Sequence, residues 1–335
     1  MLTLIVIILG ASFILYTLLG GADFGAGILE TFAGKREELT ISKAIAPVWE
    51  ANHVWLILAV VILFTGFPEI YAAISQVLHI PLMMVLLGII MRGTAFTFRN
   101  YDVVLDRSRK YYTLLFRVSS FITPVFLGMI LGAMILGRIT FDPAAGFYAM
   151  YLAPWLNLFC LITGLFAASL FAYLAAIFLV GETRIARERV MYARFAKKFM
   201  ILTMLLGVLV FGVAGLEGQL MLGQFLHSPA SIAMLLLATL LCPFIWHFLN
   251  REKNKTLYLR IGAGIQVTAI LVGWFAIQFP VLIEVDRGTS LDFYHTQAPA
   301  ATQLQLIIAL ITGLIIIIPG FVYLFRVFKV KSTES

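Results

Sequence analysis

Long, nearly uninterrupted apolar runs alternate with short polar connections from one end of the chain to the other. Each run is close to the ~20 residues with which an α-helix crosses a bilayer. None shows the sustained apolar–polar alternation of a membrane β-barrel strand. The pattern predicts nine spans, over 3–30, 47–68, 79–99, 115–137, 151–180, 199–222, 230–249, 257–280 and 303–327. The fifth is long enough to tilt or to extend past the membrane. Pro47, Pro81 and Pro229 stand where helices begin, in first turns where a missing N–H costs little. No linker or low-complexity stretch divides the chain, so residues 1–335 read as one all-α, polytopic membrane unit.

Composition agrees with the pattern. The chain is 61% hydrophobic and 12% charged, where a soluble domain carries about 25% charged residues. Its net charge of +7 is split among short connections, which makes it a topology signal and not a nucleic-acid surface. Lys35, Arg36 and Lys43 follow the first span, and Arg99, Arg107, Arg109 and Lys110 the third. Arg184, Arg187, Arg189, Arg194, Lys197 and Lys198 follow the fifth; Arg251, Lys253, Lys255 and Arg260 follow the seventh. Arg326, Lys329 and Lys331 end the chain, while the alternate connections hold only Arg138 and Arg287. By the positive-inside rule the N-terminus lies outside and the C-terminus in the cytoplasm. Met1-Leu2-Thr3-Leu4-Ile5 lacks the basic start of a cleavable signal peptide.

Against this apolar background, carboxylates inside spans are costly, at about 2.5–3.5 kcal/mol for a charge at the helix centre. Four fall there: Asp23, Glu30, Glu50 and Glu217. Asp23 lies in the run Gly20-Gly21-Ala22-Asp23-Phe24-Gly25-Ala26-Gly27. Glu50 lies in Pro47-Val48-Trp49-Glu50-Ala51-Asn52-His53-Val54-Trp55. Asp23 and Glu30 are seven residues apart, on one helix face and roughly 10 Å apart along the axis. Glu50 and His53 are three apart and share a face. Arg92 lies about two turns inside the third span, so all these groups can meet near one depth on the cytoplasmic side.

Two readings of that cluster stand. Acidic and imidazole side chains are the usual members of membrane proton relays, which makes Glu50, Asp23, His53 and Glu30 proton-path candidates. Asn52 would orient them and Arg92 would balance their charge. Alternatively Asp23 or Glu50 pairs with Arg92 and ties three helices together. Glu30 also reads as an interfacial residue, and Glu217 as solvated or partner-facing. Gly21 with Gly25, and Gly128 with Gly132, have the spacing that lets helices approach closely.

Other chemistry is sparse. Cys160 and Cys242 fall inside spans and read as packing residues, with no disulfide framework and no zinc site. His53, His79, His227, His247 and His295 include no two on one helix at a spacing that would support two stacked haems. Trp49, Trp155 and Trp246 fit interfacial belts, while Trp55 and Trp274 lie deeper and suit a partner contact. No nucleotide-binding motif is present. A proton- or cation-coupled secondary transporter built on Asp23, Glu50 and Arg92 is one function class. Against it, the second half carries no copy of either motif, as repeated transporter halves would. A structural membrane scaffold is another.

The Gly20–Gly27 run followed by Pro47–Trp55 resembles subunit II of the cytochrome bd-type quinol oxidases. Met91-Arg92-Gly93 with Phe96 and Arg99, and a Phe279-Pro280 end to the eighth span, fit the same family. The likeness is tighter before about residue 120 than after it. It implies two four-helix bundles plus one helix in a bacterial plasma membrane. The chain would be the haem-free partner of a subunit I that carries haem b, haem d, the quinol site and the oxygen chemistry. A small accessory subunit, and a bound quinone or lipid in this chain, are further possibilities within the family. The resemblance places the position of Glu50 on a proton path from the cytoplasm, with Asp23 close by and spans 1–3 toward subunit I. Glu50 stands where many relatives have Asp, and His53 where many have Gln. Leu291-Asp292-Phe293-Tyr294-His295-Thr296 departs from the family's usual aromatic and small-residue pattern.

Overall fold

The computed structural model describes all of the chain except residues 35–37, 39, 43, 45, 47–48, 102–106, 184, 218–220, 251–255, 287–289 and 335. Lys35, Arg36, Lys43, Pro47, Val48, Arg184, Arg251, Lys253, Lys255 and Arg287 therefore lie outside the described residues. Among the described residues nine helices are long and apolar enough to cross a membrane. They are α1 (Leu2–Glu30), α2 (Trp49–Gly66), α3 (His79–Arg99), α4 (Arg109–Ile135), α5 (Leu158–Glu182), α6 (Ala186–Leu216), α7 (Pro229–Leu249), α8 (Thr256–Gln278) and α9 (Ala300–Tyr323).

Some ends differ from those expected from hydropathy, each for a local reason. α5 begins at Leu158, not at 151, because Pro154 lacks an N–H and the chain turns there. Asn157 then caps the new helix, its side-chain oxygen accepting the Cys160 N–H at 2.9 Å. α4 and α6 start earlier than expected, at Arg109 and Ala186. Their first turns are basic, and long basic side chains reach out of the apolar layer while the helix continues. At the start of α6, Glu188 is buried and accepts hydrogen bonds from Thr40 Oγ1 at 3.0 Å and Thr183 Oγ1 at 2.7 Å. α1 is interrupted by one π-helical turn, Tyr16–Gly20, just before the acidic run.

α5 is the central element, packed on α1, α4, α6 and α8. α3 lies along α4, α7 along α8, and α9 against α1 and α2. Lipid is as apolar as a leucine side chain, so burial of apolar surface does not drive these contacts. Close backbone approach and internal hydrogen bonds do. At Gly25 a Cβ would overlap the carbonyl of Phe171, so α1 and α5 meet backbone to backbone there. Further along α5, Tyr173 Oη donates to Gln266 Oε1 of α8 at 2.6 Å. The Gln266 amide then donates to the Ala238 carbonyl of α7 at 2.9 Å.

At the far end of the bundle, β1 (Val281–Ile283) pairs antiparallel with β2 (Leu291–Asp292). The following segment docks on the end of α4, the Glu284 N–H donating to the Met134 carbonyl at 2.9 Å. Phe293 is buried, edge-on to Phe67 at 4.9 Å between ring centres. Asp292 closes its turn by accepting the N–H groups of Tyr294 and His295 at 2.8 and 2.9 Å. Glu217, expected to be solvated or partner-facing, instead pairs within the chain with Arg138. Trp55 likewise packs inside the chain, against Phe321 of α9. Both cysteines are free.

The α1–α5 approach is testable. Gly25→Ala inserts a methyl into backbone and is expected to cost about 1–3 kcal/mol, read as a lower unfolding midpoint in detergent. Gly10→Ala, with nothing within 4 Å of the new Cβ, serves as the neutral control. Equal midpoints for the two variants would show that α1 and α5 are not in backbone contact at Gly25.

Candidate functional site

Asp23 and Arg92 meet in the interior as a two-pronged ion pair. Arg92 Nη1 donates to Asp23 Oδ2 and Nη2 to Oδ1, both at 2.8 Å. Nη2 also donates to the Asp23 main-chain carbonyl at 3.0 Å, and Nε to Ser120 Oγ of α4 at 3.1 Å. The two side chains are each only 2% exposed. Three helices, α1, α3 and α4, are thereby joined through one guanidinium. Phe24 and Phe116 cover it, their ring centres 5.0 and 4.9 Å from the guanidinium carbon. A planar, delocalised cation is suited to such stacking, as an ammonium is not.

One seven-residue step along both helices, the arrangement repeats. Glu30 of α1 is completely buried, and Arg99 Nη1 of α3 donates to its Oε1 at 2.6 Å. Arg117 Nε of α4 reaches the same oxygen at 3.4 Å. Glu38 closes the end of this cluster, within 3.9 Å of Arg99, 3.8 Å of Arg109 and 3.6 Å of Arg117. Near its span end Glu30 is enclosed within the chain, where three arginines converge on it and Glu38. Phe116 lies between the two rungs, 4.5 Å from the Arg99 guanidinium carbon as well as 4.9 Å from that of Arg92.

The second motif stands beside this ladder. Asn52 is buried, and its amide donates to the Leu19 carbonyl at 3.3 Å, inside the π-helical turn of α1. His53 sits against Tyr16 and Phe24, with ring centres 6.1 and 5.8 Å away. Trp49 packs on Phe96 of α3 at 5.6 Å. Glu50 is exposed at this end of α2 and forms no ion pair among the described residues. Of the candidates named from sequence, Asp23 and Arg92 are brought together, and Glu30 gains arginine partners of its own. Asn52 and His53 flank the first rung, and Glu50 stands apart on the surface.

Ser120, Phe116, Glu38, Arg117 and Tyr16 were not singled out by sequence. One signal for the ladder was available: Arg92 and Arg99 repeat the seven-residue spacing of Asp23 and Glu30. The arrangement can store charge at two depths, and it leaves one carboxylate free at its edge.

Comparison with known proteins comes to the same place as the motifs. Residues 1–328 match the family model described as cytochrome bd terminal oxidase subunit II. The chain is 24% identical over 333 residues to the cytochrome bd ubiquinol oxidase subunit 2 of Bacillus subtilis (strain 168), covering 98% of this chain and 96% of that one. It is 27% identical over 234 residues to the cytochrome bd-I ubiquinol oxidase subunit 2 of Escherichia coli (strain K12), covering 67% and 60%. In fold it is similar to a chain of the bd oxidase from Geobacillus thermodenitrificans, with a TM-score of 0.80 at 20% sequence identity and 98% of each chain covered.

Removing one member of a buried pair leaves the other charge without compensation. Arg92→Met is therefore expected to destabilise the chain by about 3–5 kcal/mol, measured by unfolding in detergent. The double variant Asp23→Leu with Arg92→Met should recover most of that loss. A double variant no more stable than Arg92→Met alone would mean that the cost does not come from the stranded carboxylate.

Proposed function

The chain belongs to the cytochrome bd terminal oxidase subunit II family, and from that membership we propose that it supports a haem-bearing subunit I and supplies part of the cytoplasmic proton path for oxygen reduction. A subunit II implies a subunit I, and the complex is an oxidoreductase of the respiratory chain. The chain itself is a multi-pass protein of the bacterial inner membrane.

In this reading quinol is oxidised in subunit I, whose haems b and d carry the electrons to oxygen. The haems supply the redox chemistry; this chain's residues hold and pass protons. The observation that carries the proton reading is the step from an exposed Glu50 to a buried Asp23 through Asn52 and His53. Glu50 would load from water at the rim. Asn52 holds α2 to the π-turn and so fixes the distance between rim and interior. Asp23, held by Arg92, is an electrostatic gate: a proton passing nearby is stabilised by its carboxylate and opposed by the guanidinium. The closed, fully paired geometry of Asp23 and Arg92 also suits a gate better than a transported-substrate site, which would need free ligating groups.

Two measurements test this. A reduced-minus-oxidised spectrum of the complex, purified through a tag on this chain, should show haem b and haem d bands together with a larger co-purifying subunit. Colourless, partner-free protein from membranes that contain those haems would remove the oxidase reading. Glu50→Gln and Glu50→Ala should then lower oxygen consumption by about 10²-fold, the usual scale for a lost proton-transfer group, while the haem spectrum persists. Full turnover in both variants takes Glu50 out of the path, and loss of the haems makes its role structural.

A further inference from the structure

Buried polar atoms without a protein partner are uncommon in folded chains, and here four atoms with none among the described residues gather around Tyr16 and His53. They are Tyr16 Oη, Asn52 Oδ1, His53 Nδ1 and Trp55 Nε1. Tyr16 and Asn52 are 4% and 3% exposed. Tyr16, Trp55, Phe24 and Phe171 form a side-chain cluster separate from the main core. His53 lies against two of its members, Tyr16 and Phe24. Phe24 in turn stacks on Arg92, so the region is one ring away from the Asp23–Arg92 pair.

Backbone geometry shapes the region. The π-helical turn Tyr16–Gly20 widens α1 there, and such turns recur at functional sites. The Tyr16 ring lies over Gly20, so closely that a Cβ at that position would come 2.8 Å from Tyr16 Cε2. Only glycine lets the ring take this seat. The Leu19 carbonyl of the same turn takes the Asn52 amide, which commits the nitrogen end of that side chain and leaves its oxygen unused.

The atoms left over are mixed in kind. Tyr16 Oη donates and accepts, Asn52 Oδ1 only accepts, Trp55 Nε1 only donates, and His53 Nδ1 does one or the other with its tautomer. An anion would require donors and a metal cation acceptors; a quinone carbonyl would leave Asn52 Oδ1 unmatched. Water, with two donors and two acceptors and typically about three bonds when buried, matches the set. We propose that Tyr16, Asn52 and His53 enclose an internal water site, closed by the Tyr16 ring, that joins the Glu50 end of α2 to the Asp23–Arg92 pair. Its use in proton uptake rests on the function proposed above. A proton arriving from Glu50 forms one O–H bond on the water as another O–H breaks toward His53 Nδ1, which accepts the proton and later passes it on, so nothing changes oxidation state or net protonation over a cycle. Tyr16 is a positioning residue: its hydroxyl holds the water, and its ring keeps lipid out.

The test uses the intact two-subunit oxidase. A high-resolution structure should show water within hydrogen-bonding distance of at least two of the three atoms. Tyr16→Phe keeps the ring and removes the hydroxyl; it should lower kcat about tenfold, at the mild end of lost proton-transfer effects, with the quinol KM and the haem spectrum unchanged. Gly20→Ala displaces the ring and should do the same. A site filled by an acyl chain or a quinone overturns the proposal, as does full kcat in Tyr16→Phe. If Glu50→Gln is slow while Tyr16→Phe is not, the uptake reading stands and the water site falls. Water in place with both variants at full rate overturns the link to Glu50 and the uptake reading with it.

Discussion

A bidentate carboxylate–guanidinium pair in a membrane interior is the constraint on which the rest of this chain depends. Removing two charges from water costs more than their mutual attraction returns unless the geometry is good and the remaining donors are used. Asp23 and Arg92 meet both conditions. Each carboxylate oxygen takes one guanidinium nitrogen, and the spare donors go to the Asp23 carbonyl and to Ser120. That solution requires α1, α3 and α4 to sit at one set of distances. The glycines around Asp23 follow from it, because α1 must also lie against α5 to keep lipid from the pair.

The second rung is built less tightly. Glu30 Oε2 and Arg99 Nη2 have no hydrogen-bond partner among the described residues although both are buried. Three arginines share two acids there, and Arg109 is more than half exposed. The ladder therefore grades from a closed pair in the interior to a looser cluster at the end of the bundle. A cytoplasmic face rich in basic side chains is what the loop charges predict for that end. Hydrogen bonding divides along the same line: the closed rung spends its donors and acceptors on joining helices, and the groups beside it, His53 and Asn52, keep unused capacity among the described residues.

Much of this was legible in the sequence, and the parts that were not share a cause. Runs of apolar residues locate membrane helices because the bilayer imposes one length and one polarity. Asp23, Glu50 and Arg92 stand out because a charge in that setting is expensive. Which carboxylate takes Arg92 is a different kind of question, since it turns on which helices are neighbours, and hydropathy is blind to that. Asp23 wins because α1 and α3 both lie on α4. Ser120 and Phe116 look like any other residues of an apolar helix until the guanidinium arrives between them. Glu30 reads as interfacial from its nearness to a span end, and hydropathy gives no sign of the arginines that enclose it there. The start of α5 was misplaced because Trp155 and its apolar neighbours extend the hydropathic signal across a proline turn.

The equal seven-residue steps of Asp23 to Glu30 and Arg92 to Arg99 bear on how the gene can change. Two contacts at one spacing fix the relative slide of two helices as a vernier does: a shift that spoils one spoils the other. A residue inserted between 23 and 30 would rotate Glu30 by about 100° off its face, and no side-chain adjustment at Arg99 would bring it back. A matching insertion between 92 and 99 would turn Arg99 by the same angle about its own axis, away from the shared face, and would not restore the contact. The windows 23–30 and 92–99 are therefore fixed in length, each by the other.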